Sequence, residues 1–125
     1  MRRFLLILAL TTLGLGCATA QARDLSVSLF RSPSGGIHCR ASGDALLCTV
    51  LTPRYSNGAF GTVDQRSASV GPVDEPGTGD PKTVLHYGQR WHRRGLSCTM
   101  RKSGITCRNR RGHGFFLSKA TQRAF

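Results

Sequence analysis

Acidic residues are what this chain has least of where it matters. It contains a single glutamate, Glu75, and no acidic side chain after Asp80. A general acid or base would have to come from the histidines, the aspartates or that one glutamate. No G-x-S-x-G elbow and no H-E-x-x-H pair occurs, which leaves out the common serine-hydrolase and zinc-peptidase arrangements. Aromatic residues make up 7% of the chain, too sparse for the stacked platforms of single-strand nucleic-acid binders, so specific nucleic-acid recognition is not expected. No apolar run reaches the roughly 20 residues of a membrane-spanning helix.

The one apolar run present is shorter. Phe4 to Leu15 follows Arg2 and Arg3 and precedes Ala20-Gln21-Ala22. A basic start, a short apolar stretch and an A-x-A site, in that order, read as a secretory signal peptide over residues 1–22. The mature chain is then one domain, residues 23–125, exported to the periplasm or the medium. Lipidation at Cys17 is disfavoured, because Gly14 stands where lipoprotein signals carry leucine.

Removal of the leader leaves Cys39, Cys48, Cys98 and Cys107. Four cysteines in a small exported chain form a disulfide framework, formally with three connectivities. The spacing favours one of them. Both pairs are nine residues apart, with Ser42-Gly43-Asp44 in the middle of the first and Lys102-Ser103-Gly104 in the middle of the second. Each stretch reads as two short strands around a glycine-containing turn. Cysteines opposed across such a hairpin lie within disulfide reach, which pairs Cys39 with Cys48 and Cys98 with Cys107. Zinc sites bring cysteines in much closer sequence pairs, so no metal and no cofactor is expected.

The rest of the pattern is all-β: a small antiparallel sheet of stapled hairpins. Leu25–Phe30, Lys82–Tyr87 and the apolar Phe115–Leu117 read as strands, and Thr62–Val70 reads as one more. Residues 32–36, Thr52–Gly61, Gly71–Pro81 and Arg94-Gly95 read as turns or loops, with Asn57-Gly58 a tight turn. Ser118 to Phe125 reads as a helical turn or two with Ser118 as N-cap.

Three stretches carry a family resemblance: FRSPSGGIHC (30–39), LHYGQRWHRRGLSC (85–98) and SGITCRNRRGHGFFLSKATQRAF (103–125). The chain resembles a family of small exported bacterial domains of unknown function. The resemblance implies export and a shared fold, and it brings no activity or catalytic residue.

Charge is the unusual feature. The formal net charge is +12, and it is unevenly placed. Residues 23–80 hold five basic and six acidic side chains, whereas residues 81–125 hold eleven basic and none acidic. Such asymmetry bears on partners rather than on fold. Arginine's planar fork suits phosphate and carboxylate groups. Arg93, Arg94, Arg101, Lys102, Arg108, Arg110 and Arg111 are the candidate anion-binding residues. If the strand runs on past Cys107, Arg108 and Arg110 share its outward face. The expected role is a non-enzymatic exported domain that binds an anionic envelope polysaccharide, a lipid head group or an acidic protein. The plain alternative is a solvated cationic surface. The remaining alternatives are a small phosphodiester hydrolase using His113, and a protein-binding or inhibitor module presenting GHGFF.

Overall fold

Short strands separated by turn residues pair most readily with their sequence neighbours. The computed structural model describes Gly14, residues 23–74 and residues 79–125, and in it this happens twice. β1 (Leu29–Arg31), β2 (Ile37–Ser42), β3 (Ala45–Thr52), β4 (Tyr55–Val63) and β5 (Ala68–Pro72) form one antiparallel sheet in sequential order. β6 (Arg90–Arg93), β7 (Leu96–Arg101), β8 (Gly104–Arg108), β9 (Gly114–Leu117) and β10 (Gln122–Ala124) form the other. The fold is all-β and disulfide-stapled, as expected, but it is two sheets rather than one. Apart from Gly14, the expected leader and Cys17 lie outside the described residues.

Strand alternation explains both staples. In β2 and β3 the buried positions include Ile37, Cys39, Ala41, Leu46, Cys48 and Val50; in β7 and β8 they include Cys98, Met100, Ile105 and Cys107. Every cysteine among them therefore faces inward. Cys39 is the direct cross-strand partner of Cys48, and Cys98 of Cys107. Both pairs have Cα atoms 4.1 Å apart and are bonded, the close approach of a non-hydrogen-bonded antiparallel pair.

The inward faces of both sheets share one core. Phe30 and Trp91 meet across it with ring centroids 5.5 Å apart, and the Trp91 indole N–H donates to the Val27 carbonyl at 2.8 Å. The β1 and β6 edges are covered reciprocally. Leu25 hydrogen-bonds along β6 (its N–H to the Arg90 carbonyl, 2.9 Å), and the Leu85 N–H donates to the Arg31 carbonyl on β1 at 2.9 Å. Edges paired in this way are closed to further strand addition.

Several expected elements are corrected. The strands expected over Leu25–Phe30 and Lys82–Tyr87 shrink to β1 and to single bridges at Leu25 and Val84, because these segments cross between sheet edges. Tyr55–Gly61 is strand, not loop; the turn is Pro53-Arg54, and Gly58 (φ 95°) lies in a register shift opposite Val50 and Thr52. The strand expected over Thr62–Val70 is broken by a turn at Asp64. Gly71 and Pro72 belong to β5, and residues 75–78 of the expected loop lie outside the described residues. The C-terminal helical turn is replaced by β10. The Ser118 hydroxyl does accept from the Thr121 N–H at 3.0 Å, as a cap would, but the Ser118 N–H donates to the Thr121 carbonyl at 2.8 Å and turns the chain back. The open edge of β9 then supplies backbone partners, continuing to Gly114 and Phe125.

A meander alternates its turns between two ends. The β2–β3, β4–β5, β6–β7 and β8–β9 turns gather at one end, and the β1–β2, β3–β4, β7–β8 and β9–β10 turns at the other. No helix among the described residues is long and apolar enough to cross a membrane. The two disulfides place folding in an oxidising environment.

Candidate functional site

Three loops at the first end are locked by side-chain hydrogen bonds. In the β4–β5 turn the Asp64 carboxylate accepts from the backbone N–H of Arg66 and of Ser67, both at 2.8 Å. The Arg66 N–H first, and then that of Ser67, hold the Asp64 carboxyl below its ordinary value. In the β8–β9 turn, buried Asn109 accepts at Oδ1 from the N–H of Arg111 (2.9 Å) and of His113 (3.1 Å). Its Nδ2 donates to the Asp64 carbonyl at 3.0 Å and so joins the two sheets. The surrounding glycines have separate jobs. Gly112 takes φ 84° in the turn, and a methyl on Gly114 would collide with the Cys107 carbonyl.

The β6–β7 turn is the third. A two-residue hairpin loop matched to strand twist needs positive φ at both central residues, and here these are Arg94 (49°) and Gly95 (80°). Arg94 is the one non-glycine residue with positive φ among the described residues. Its carbonyl accepts from Gln65 Nε2 at 3.2 Å, and its guanidinium lies 3.4 Å from the Asp44 carboxylate. Gly95 leaves room for Arg110, whose Nε lies 2.9 Å from where a Cβ would stand.

These loops enclose a cleft of about 360 Å³ lined by Gln65, Arg66, Arg94, Gly95, Arg110 and Arg111. Four arginines from three loops line it. Asp44 offsets part of that charge, while Asp64 is engaged by backbone donors. Such an arrangement can hold phosphate or carboxylate oxygens by charge-assisted, forked hydrogen bonds.

The seven predicted cations are thus sorted into separate places. Arg94, Arg110 and Arg111 share the cleft. Arg101 and Arg108 stand with Arg90, Ser97, Thr99 and Thr106 on the outer face of the second sheet, where Arg108 lies over the Phe125 ring at 5.5 Å. Lys102 lies in the β7–β8 turn at the opposite end, and Arg93 is half-buried at the end of β6. Arg108 and Arg110 do not share a face, because β8 ends at Arg108 and Asn109 turns the chain. His113 contributes its backbone to the Asn109 loop, and its side chain is exposed outside the cleft lining. Sequence reasoning missed Arg66, which lies in the half without excess positive charge; the only local signal was the D-x-x-S turn around it.

A family model described as a family of unknown function, DUF6636, matches residues 55–125, more than half of the chain. That span includes Arg66, Arg94, Arg110 and Arg111. No curated protein and no solved structure matches the chain.

Proposed function

We propose that this chain, which belongs to the DUF6636 family of unknown function, is an exported, non-enzymatic domain that holds an anionic group of a larger partner in its arginine cleft. The observation that carries the reading is the convergence of Arg66, Arg94, Arg110 and Arg111 on one cleft. A solvated cationic surface has no need of it. Like charges repel, and gathering them is favourable only when an anion intervenes or when other restraints hold them. Here the restraints are visible. Asn109 and Asp64 fix two loops, and Arg94 occupies a left-handed conformation that costs an ordinary residue on the order of 1 kcal/mol. The tight hairpin turn that imposes this conformation also fixes Arg94 at the cleft before any ligand arrives.

The partner is one that presents phosphate or carboxylate outside the cytoplasm: an envelope polysaccharide, a lipid head group or an acidic protein. Hydrolysis of phosphodiesters draws no support from the cleft, whose lining holds neither histidine nor carboxylate.

Heparin chromatography tests the reading. Retention of the mature protein should fall steeply with salt. The Arg94→Ser/Arg110→Ser/Arg111→Ser variant should lose most of it. The Arg90→Ser/Arg101→Ser/Arg108→Ser variant, with the same net charge, should lose clearly less. Equal losses would reduce the effect to net charge and remove the cleft as a site.

A further inference from the structure

The opposite end of the molecule carries a second cavity, of about 320 Å³, with a different chemistry. Ile37, Val50 and Met100 border it from the core, with little or no surface of their own exposed. Leu51 and Tyr87 stand on its wall, 73% and 43% exposed. Lys102, Lys119 and Arg101, which also borders the outer face of the second sheet, line it as well. No carboxylate lines it, and among the described residues none of these three cations forms an ion pair.

Tyr87 is held in place from below. The Gly88 N–H donates to the Met100 carbonyl at 2.7 Å, and the Met100 N–H donates to the Gln89 carbonyl at 3.3 Å. Buried Gln89 closes the turn by accepting from the His86 N–H at 2.9 Å, and it donates to the Arg23 carbonyl at 2.7 Å. These bonds tie the backbone next to Tyr87 to β7 of the second sheet, while Leu51, which lines the same cavity, belongs to β3 of the first.

We propose that this cavity binds a single-chain anionic amphiphile of the fatty-acid class. Its alkyl chain lies along the exposed apolar side chains of Leu51 and Tyr87, and its carboxylate meets Arg101, Lys102 and Lys119. Exposed apolar side chains beside cations with no carboxylate among them match a molecule divided in the same way, and neither half of the cavity alone explains the other. Ligand pockets run from about 300 to 1,000 Å³, so a volume of about 320 Å³ suits one short chain rather than a two-chain lipid. The site is independent of the arginine cleft, which lies at the other end.

Calorimetric titration with monomeric sodium decanoate tests the proposal. Decanoate should bind saturably, and acetate and decyltrimethylammonium should each bind at least about tenfold more weakly, since one lacks the chain and the other the negative head. Leu51→Ser, at an exposed position, should weaken binding about tenfold without changing the thermal unfolding midpoint. Lys102→Ser/Lys119→Ser should do the same, and the arginine-cleft triple variant should leave decanoate binding unchanged. Absence of saturable binding, equal binding of acetate, or indifference to both Leu51→Ser and the lysine pair would overturn it. So would Leu51-dependent binding to anionic phospholipid vesicles with none to monomeric decanoate, which would make this end a membrane-docking surface.

Discussion

The two sheets are built alike and charged unlike. Each is a five-stranded meander with one hairpin closed by cysteines nine residues apart, and the Cα separation is 4.1 Å in both. Yet the chain from residue 81 onward, which makes the whole second sheet, has eleven basic and no acidic side chains, while residues 23–80 are close to neutral. The difference teaches that frame and charge are set at different positions. Inward positions of the strands decide pairing and core; outward and turn positions carry charge with little effect on either. It also shows that the arginine cleft is not a property of the basic half alone. The neutral half supplies Arg66, the Asp64 carbonyl that receives Asn109, and the Asp44 carboxylate beside Arg94.

The largest expected effect tests the likeness of the two frames. Replacing Cys39 and Cys48 with alanine should cost about 2–3 kcal/mol in urea unfolding, and so should replacing Cys98 and Cys107, because the closed loops are equally long. A cost confined to one pair would show that the sheets do not contribute equally to a single cooperative unit.

A smaller effect tests the seam between the sheets. Asn109→Ala removes two acceptor bonds to backbone N–H groups and the bond to the Asp64 carbonyl. It should cost about 1–3 kcal/mol and reduce heparin retention, because Arg110 and Arg111 ride on that loop. Full retention in a destabilised but folded variant would separate the seam from the site.

The smallest effect concerns acid. The Asp64 carboxyl is held below its ordinary value in the folded chain, so its charged form stabilises the fold at neutral pH. That contribution is lost as pH falls from about 5 down through the lowered folded value. The gap in thermal midpoint between the native chain and Asp64→Asn should therefore shrink as pH is lowered over this range. A gap that stays constant would mean that Asp64 acts through packing rather than charge.

Much of the frame was legible in advance. Equal cysteine spacing around two glycine-containing turns pointed to Cys39–Cys48 and Cys98–Cys107, since a disulfide across a hairpin needs only local geometry. The Arg94-Gly95 turn and the Phe115–Leu117 strand were legible for the same reason. The C-terminal strand was not. Ser118 is a sound helix cap by local chemistry, and only the open edge of β9 makes strand the better outcome. The site was legible in composition and not in membership: Arg94, Arg110 and Arg111 were among the candidates, but so were Arg101, Lys102 and Arg108, which stand elsewhere.

By itself, then, the sequence determined strand periodicity, staple pairing and the excess of positive charge in the later half. Each depends on residue identity and on spacing within one hairpin. Tertiary structure alone decided which arginines meet, that Arg66 joins them, and that Leu51 and Tyr87 line one cavity at the far end. Those juxtapositions come from turns of a meander gathering at alternate ends and from two sheets packing over one core, and no spacing within a single segment encodes them.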